Sequence, residues 1–192
     1  MSVREKKILV SGNPKYGLAE ALSSVLAADF VSRSNGYDLS TIEGQERLVQ
    51  LSHGYDAFVN LASLSEFAQV NLLQKVWTNW QNHKRAGHIL SIGSTLDRWL
   101  SSGDRIYAVE KAALQRLSNQ LALATHGKSQ IRVSLVSLGM LATPGMQRKF
   151  PEKNKMDLTQ AATIIKWALD CPEGLNINEI SIDPIQPTLL NK

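Results

Sequence analysis

The stretch that decides the fold runs from Ile8 to Ala19 and reads ILVSGNPKYGLA. A short apolar run, Ile8–Val10, is followed by a turn that contains glycine and then by apolar residues at helical spacing. A strand that passes through such a turn into a helix is the first part of a β-α-β unit, whose next strand lies parallel to the first. This stretch therefore predicts an α/β fold with a parallel sheet.

The rest of the chain repeats this alternation of apolar runs and amphipathic stretches. Further strands are predicted near 30–32 and at 57–60, 88–92, 131–138 and 177–182. Helices are predicted after Gly17, over 65–84, from 104 to 126 and from Asp157 to Leu169. Continuous apolar strands separated by helices are typical of a sheet that is covered on both faces. We therefore predict a three-layer, doubly wound Rossmann fold with a mainly parallel sheet.

Length and composition limit the classes to which the chain can belong. With 192 residues, of which 43% are hydrophobic and 20% charged, we expect a single globular domain over residues 1–192. No apolar run approaches the length of a membrane span and no leader pattern is visible, so we expect a cytoplasmic protein without a membrane partner. The basic residues behind the net charge of +4 are mostly scattered, which argues against a nucleic-acid partner. One cysteine and four separated histidines supply no ligand spacing, so we expect no metal.

The turn after the first strand has the order of elements that a dinucleotide pyrophosphate needs. Glycine lets the backbone approach the phosphates, and the first N–H groups of the following helix face their negative charge. The candidate contacts in this turn are Gly12, Asn13, Tyr16, Gly17 and Leu18. The alternative is a tight β-α turn that binds no ligand.

The residues after the second strand indicate which dinucleotide is favoured. Arg33 and Ser34 stand where an acidic side chain would accept hydrogen bonds from the ribose hydroxyls of NAD. An arginine and a serine can instead hold the 2′-phosphate of NADP, so NADP(H) is favoured as the cofactor and NAD(H) stays open. The alternative is a solvated arginine on the surface.

A phenol and an amine lie four residues apart on one predicted helix. Tyr107 and Lys111 therefore share a face, where we expect the ammonium to lower the pKa of the phenol and make it a proton donor and acceptor. Ser94 follows the 88–92 strand, and its hydroxyl can donate to a substrate carbonyl oxygen. The alternative role for Ser94 is to cap a turn.

Taken in order, these motifs resemble the short-chain dehydrogenase/reductase family. The segments that carry the resemblance are Ser11-Gly12 with Gly17-Leu18-Ala19, Tyr37-Asp38-Leu39-Ser40, Asn60-Leu61-Ala62-Ser63, Val70-Asn71-Leu72, Ser91 to Ser94, Tyr107 to Lys111, and Leu138-Gly139 with Thr143. The resemblance implies that Tyr107 is the acid/base, that Lys111 holds the nicotinamide ribose, that Ser94 orients the carbonyl, and that Asn71 supports a proton relay. It also implies cofactor contacts at Asp38, Asn60, Ala62 and Thr143.

The sequence also departs from the family pattern. Too few residues separate Arg33 from Asp38 for the family's usual helix and strand, so we expect the sheet to be trimmed at that edge. The segment between Ser63 and Asn71 is short as well, and the substrate loop is expected around 139–157. We therefore expect one wall of the substrate pocket to be missing or to be supplied by another subunit.

Two functions from different classes follow from the residues and the resemblance. The favoured one is an NADP(H)-dependent oxidoreductase that transfers hydride between nicotinamide and a small carbonyl or alcohol. The alternative is a catalytically silent dinucleotide-binding protein, a redox sensor or interaction module, which the shortened pocket favours. The resemblance further implies a homodimer or homotetramer through the helices at 65–84 and 104–126.

Overall fold

The computed structural model describes residues 6–98, 106–125 and 127–185. Within them, one sheet is formed by β1 (Ile8–Ser11), β2 (Asp29–Val31), β3 (Ala57–Asn60), β4 (Gly87–Ser94), β5 (Ile131–Leu138) and β6 (Glu179–Ile182). All the strand pairs are parallel, and the spatial order is β2-β1-β3-β4-β5-β6. The predicted parallel sheet is confirmed. Because β2 and β3 lie on opposite sides of β1, the winding reverses beside β1, where ligands of such sheets bind.

Helices cover both faces of the sheet. They are α1 (Gly17–Ser23), α2 (Ile42–Ser52), α3 (Ala68–Asn82), α4 (Ile106–Thr125), α5 (Pro144–Lys149) and α6 (Leu158–Leu169), with 3-10 helices at Arg33–Asn35 and Thr95–Arg98. One apolar cluster joins the sheet to α1 and α6, and the other joins it to α2, α3 and α4. The predicted three-layer Rossmann fold is therefore confirmed. Within the described ranges, no helix combines the length and the apolar content needed to cross a bilayer.

The two apolar clusters explain why the strands read as unbroken apolar runs. In β1, Ile8 and Val10 belong to the cluster under α1 and α6, and Leu9 belongs to the opposite cluster. Successive side chains of a strand point to opposite faces, so a strand buried on both faces needs an apolar residue at every position.

The sheet ends at β2, as the predicted trimming of this edge requires. Beyond β2 the chain forms the first 3-10 helix and then α2, which the sequence pattern did not predict. Thr41 caps α2 by accepting a hydrogen bond from Gly44 N at 3.0 Å. A Cβ atom at Gly44 would lie 1.9 Å from the Asp38 carbonyl oxygen, so only glycine lets α2 begin this close to the preceding turn.

Several helix ends differ from the predicted ones for local reasons. The helix predicted from residue 65 begins at Ala68, because Glu66 and Phe67 have left-handed φ angles of 60° and 57° that an α-helix does not accommodate. Asp157 caps α6 as predicted, accepting hydrogen bonds from the N–H groups of Thr159 and Gln160. Residues 104, 105 and 126 of the helix predicted from 104 to 126 lie outside the described residues.

Candidate active site

Several of the predicted site residues lie near the carboxyl ends of β1, β3 and β4. Ser11, the last residue of β1, donates its hydroxyl to Val59 O at 3.3 Å. The same oxygen accepts from Leu61 N at 2.9 Å and from Ala62 N at 3.2 Å. Ser11 thus fixes the chain leaving β3 against the end of β1. The N–H of Ala62, a predicted cofactor contact, is already engaged by this serine.

The two glycines of the turn after β1 differ in the space around them: Gly12 is tightly packed and Gly17 is not. A Cβ atom at Gly12 would lie 2.9 Å from Leu61 Cδ2 and 3.0 Å from Ala19 Cβ, so glycine lets this turn pack against α1. Gly17 has a φ of +60°, and a Cβ atom there would meet no atom within 4 Å. The open space at Gly17 fits a group that approaches the backbone, as the pyrophosphate of a dinucleotide does.

The other predicted turn residues differ in what they offer a ligand. Asn13 is exposed, and its Oδ1 accepts from Lys15 N at 3.0 Å, which shapes the turn. Tyr16 is 59% exposed. Leu18 is buried in the cluster under α1, so its side chain is a core residue and only its backbone can face a ligand.

The end of β2 carries the residues that were predicted to select the cofactor. Arg33 and Ser34 are exposed on the first 3-10 helix, and the Ser34 hydroxyl lies 2.7 Å from that of Ser32. Hydrogen bonds from Ser40, reinforced by the charge of Arg33, hold the pKa of Asp38 below its usual value. Arg33 and the ionised Asp38 are therefore close enough to interact in this solvent-facing corner.

Tyr107 and Ser94 come together as predicted. Tyr107 lies in the first turn of α4 and Ser94 ends β4, where the serine is 8% exposed. The Tyr107 phenol lies close enough to the hydroxyls of Ser94 and Ser63 for both to lower its pKa. Ser63, which sequence reasoning did not assign to the site, reaches it from the segment after β3 and is exposed.

The expected lowering of the Tyr107 pKa is wrong for this structure. Burial raises the pKa of the phenol, and the nearby hydroxyls of Ser94 and Ser63 oppose that rise. The charges of Glu110 and Asp97 raise it further. Tyr107 remains 41% exposed, so solvent moderates these effects.

Lys111 lies beside Tyr107 but makes its hydrogen bonds elsewhere. Its Nζ is 5.4 Å from the centroid of the Tyr107 ring, and it donates to Gln69 Oε1 at 2.7 Å and to Ile92 O at 3.1 Å. Lys111 is 4% exposed. Burial lowers the pKa of Lys111 to about 8, although the charges of Glu110 and Asp97 oppose this shift.

Two predicted site residues, Asn60 at the end of β3 and Asn71 on α3, lie in different environments. Asn60 is completely buried and its Nδ2 donates to Gln69 O at 2.9 Å, so its side chain is engaged within the protein and the predicted position beside a cofactor stays a prediction. Asn71 is exposed on α3, about 200° around the helix from Gln69, the residue that contacts Lys111. A proton relay through Asn71 stays a prediction.

The segment after Ser94 is anchored by polar side chains from β5, from β6 and from the residue after β6. Ser137 donates to Asp97 Oδ2 at 2.6 Å, and Thr95 donates to Asp183 Oδ1 at 2.7 Å. Arg98 pairs with Glu179 at 3.1 Å. These contacts hold the second 3-10 helix against the sheet and so fix the position of Ser94.

The predicted substrate loop forms a short helix and one isolated bridge. Thr143, the predicted nicotinamide contact, caps α5, and its Oγ1 accepts from Met146 N at 3.3 Å. Leu141 pairs with Met156, which closes the loop at its base. The Thr143 hydroxyl is thus committed to the helix, and the predicted contact with a cofactor stays a prediction.

Together the fold and the site define a class: a Rossmann-fold protein with serine, tyrosine and lysine at the carboxyl edge of a parallel sheet. The family described as enoyl-(acyl carrier protein) reductase matches residues 18–175, which is more than half of the chain. The chain therefore belongs to this family, among the short-chain dehydrogenases/reductases, and the resemblance carried by its motifs is confirmed.

Curated relatives match part of the chain. An uncharacterized oxidoreductase of Staphylococcus epidermidis is 27% identical over 101 residues, covering 52% of this chain and 44% of that protein. A second, from Staphylococcus haemolyticus, is 28% identical over 101 residues, covering 52% and 43%. The chain thus spans less than half the length of these curated relatives in the matched region.

Solved structures share the fold at low sequence identity. A 4-hydroxyisoleucine dehydrogenase complexed with NADH has a TM-score of 0.74 at 19% identity, covering 94% of this chain and 98% of that one. A short chain dehydrogenase from Burkholderia cenocepacia J2315 in complex with NADP has a TM-score of 0.74 at 18% identity, covering 94% and 89%. A serine dehydrogenase complexed with NADP+ has a TM-score of 0.72 at 16% identity, covering 92% and 94%. At these identities the likeness shows the fold.

Proposed function

We propose that this protein is an oxidoreductase that uses NADP(H) to interconvert a small carbonyl compound and its alcohol. The observation that carries the proposal is the meeting of the Tyr107 phenol with the Ser94 hydroxyl, beside the buried Lys111. A proton donor, a hydrogen-bond donor and a cation at one sheet edge are what carbonyl reduction requires of a protein. Family membership supports the same reaction class.

Each of the three side chains has a separate task in this mechanism. A bound nicotinamide dinucleotide would supply or accept the hydride. Tyr107 gives its phenolic proton to the substrate oxygen during reduction and takes it back during oxidation. Ser94 donates a hydrogen bond to the same oxygen and stabilises the negative charge that develops there. The Lys111 ammonium favours the phenolate that Tyr107 becomes after it has given up its proton.

The choice of NADP(H) rests on the exposed cation after β2. Dinucleotide-bound neighbours in fold contain NADH or NADP, so they support a nicotinamide dinucleotide of either kind. Arg33 is exposed beside Ser34 at the end of β2, where a 2′-phosphate would find both a guanidinium and a hydroxyl. The open side of the turn at Gly17 would hold the pyrophosphate.

The test combines a binding titration with a search for turnover. NADPH and NADH are titrated by fluorescence, and a panel of aldehydes and ketones is then assayed with the preferred nucleotide. Turnover that is lost in Tyr107→Phe, with nucleotide affinity retained, supports the enzyme. Equal affinity for both nucleotides contradicts the NADP(H) preference.

A catalytically silent dinucleotide-binding protein is the second candidate. The raised pKa of Tyr107 and the hydrogen bonds that direct Lys111 toward Gln69 favour it, because both weaken proton exchange at the phenol. Tight nucleotide binding without turnover across the carbonyl panel selects this candidate.

We also propose self-association through α3 and α4. Val109 and Leu123 are 55% and 71% exposed, and they lie fourteen residues apart on one side of α4, facing away from the sheet. Sedimentation velocity of the unaltered protein and of Leu123→Glu tests this proposal. A dimer or tetramer that dissociates in the variant is expected, and a monomer in both contradicts it.

A further inference from the structure

The side-chain amide of Gln69 joins several elements around Lys111. Its Nε2 donates to Asn60 O at 2.8 Å and to Ile92 O at 3.0 Å, and its Oε1 accepts from Lys111 Nζ at 2.7 Å. These contacts tie the first turn of α3 to β3, to β4 and to α4. Only this orientation of the amide satisfies all three partners, because two carbonyl oxygens need donors and the ammonium needs an acceptor.

The ammonium of Lys111 is therefore held in a defined direction. A lysine ammonium has three N–H donors, and those to Gln69 Oε1 and Ile92 O use two of them. One N–H is left to serve an acceptor on another side, and the Tyr107 ring lies on one such side at 5.4 Å. The position of Gln69 thus decides where the remaining donor points.

The backbone that leads into Gln69 is strained and is fixed from α4. Glu66 and Phe67 both have left-handed φ angles, and Phe67 N donates to Glu110 Oε1 at 2.9 Å. Glu110 is 8% exposed and directly precedes Lys111. Consecutive left-handed residues other than glycine persist only when surrounding contacts require them. The turn that Glu110 fixes brings Gln69, itself 5% exposed, into the site.

We infer that Gln69 is a positioning residue, whose amide fixes the Lys111 ammonium between β3 and β4 and directs its remaining N–H donor. The effect on turnover rests on the proposed function, whereas the effect on the ammonium does not. The ionisable groups that face Lys111 are Tyr107 and Glu110 on α4 and Asp97 on the second 3-10 helix. Substitutions at residue 69 leave all of these in place.

The first test measures the titration of Lys111 in variants of Gln69. Gln69→Glu keeps the shape and adds a negative charge beside the ammonium, so the Lys111 pKa should rise by about one unit. Gln69→Met removes the acceptor without adding charge, so the Lys111 pKa should fall. Gln74→Glu and Gln74→Met make the same changes at an exposed position of α3 and should leave it unchanged. Side-chain carbon NMR of labelled lysine, assigned by the signal lost in Lys111→Met, gives the values.

The second test asks whether Gln69 acts through Lys111. The pH profile of kcat/KM should move in the same direction as the Lys111 pKa in each variant. In the protein that keeps Lys111, Gln69→Met should lower kcat/KM about ten-fold. In a protein that already carries Lys111→Met, the same substitution should lower kcat/KM much less, because the two residues act as one unit. A residue with a purely structural role would lower activity equally in both backgrounds.

The outcomes separate this inference from the proposed function. An unchanged Lys111 titration in the folded Gln69 variants overturns the inference, even where activity falls. Lack of turnover in the unaltered protein counts against the proposed function, and the titration still decides the role of Gln69. Circular dichroism and thermal unfolding check each variant, and where Gln69→Met does not fold, the isosteric Gln69→Glu gives the result.

Discussion

The carboxyl ends of β4 and β2 carry two parts of the candidate site, and they differ in how their polar groups are held. At β4, Gln69 and Lys111 are about 5% and 4% exposed and are bonded to one another and to main-chain carbonyls. At β2, Arg33 and Ser34 face solvent. Buried polar groups must keep their partners, whereas solvent replaces the partners of exposed ones.

This difference in burial indicates which property of the protein a substitution at each end should change. In the buried half, a change to one side chain disturbs its neighbours and hence the geometry of the reacting groups. In the exposed half, a change alters charge and contact with the ligand and leaves the fold intact. We therefore expect large effects on turnover from the β4 side and effects on cofactor choice from the β2 side.

The largest expected effect on turnover comes from Ser94, and comparison with Ser63, whose hydroxyl also lies beside Tyr107, tests it. Ser94 is 8% exposed and Ser63 is exposed, and both lie close enough to the Tyr107 phenol to lower its pKa. Ser94→Ala should lower kcat/KM by about 10²- to 10³-fold, because a fixed donor to the substrate oxygen is lost. Ser63→Ala should cost less than about ten-fold, because water can take the place of its hydroxyl. Steady-state kinetics at saturating nucleotide measures both, and equal losses would contradict the comparison.

Next in size is the effect of Arg33 on cofactor choice. Arg33→Ala should weaken NADPH binding by about ten- to a hundred-fold, the loss of one charged hydrogen-bonding partner, and should leave NADH binding nearly unchanged. Lys128→Ala, which removes an exposed cation from the loop after α4, is the matched control. Fluorescence titration gives the dissociation constants. A parallel loss of NADPH affinity in both variants would indicate a general charge effect and no specific contact.

A smaller effect is expected from pH, through Lys111. Its pKa of about 8 means that the ammonium is lost as the pH rises through about 8, so nucleotide affinity should fall several-fold from pH 7 to pH 9. In Lys111→Met the affinity should be weak at both pH values. The unfolded chain binds this proton up to a pH near 10.5, so burial of Lys111 destabilises the fold at low pH and this cost declines between about pH 8 and 10.5. Isothermal calorimetry measures the nucleotide affinity, and chemical unfolding at the same pH values measures the stability.

The sequence predicts most of the fold because the sheet is buried on both faces. Unbroken apolar runs place the strands, and capping by Asp157 places the start of α6. The helix α2 escapes prediction because Gly44 lies in its first turn and glycine disfavours helix. The reason for this glycine is a contact with Asp38 O, which folding creates and a sequence pattern does not contain.

The sequence predicts the reactive side chains of the candidate site but not the residues that hold them in place. Spacing alone places Tyr107 and Lys111 on one face of α4, as found. Gln69 was missed because glutamine is commonly exposed, although it falls at the spacing of the buried residues Leu72 and Val76 on α3. A polar residue within a buried stripe is the signal that could have identified it. The direction of the Tyr107 pKa depends on burial and on charges from other elements, which spacing does not reveal.

The smallest expected effect tests whether the open side of the glycine turn belongs to the site. Gly17 and Gly174 both have left-handed φ angles, +60° and +84°, and a Cβ atom at either would meet nothing within 4 Å. Gly17→Ala and Gly174→Ala should each lower the free energy of unfolding by about 1 kcal/mol, because alanine disfavours this conformation. Gly145→Ala, which has the same open space without a left-handed φ and lies in α5, should leave stability unchanged or raise it slightly, because alanine favours helix.

Nucleotide affinity then distinguishes the two strained positions. The Gly174 turn follows α6, whereas Gly17 opens α1 after the turn at the end of β1. A methyl group at Gly17 would occupy the space into which we place the pyrophosphate, so Gly17→Ala alone should weaken NADPH binding, by about two-fold. Equal affinity in the two variants would show that the open space at Gly17 is a feature of the turn and that the nucleotide approaches elsewhere.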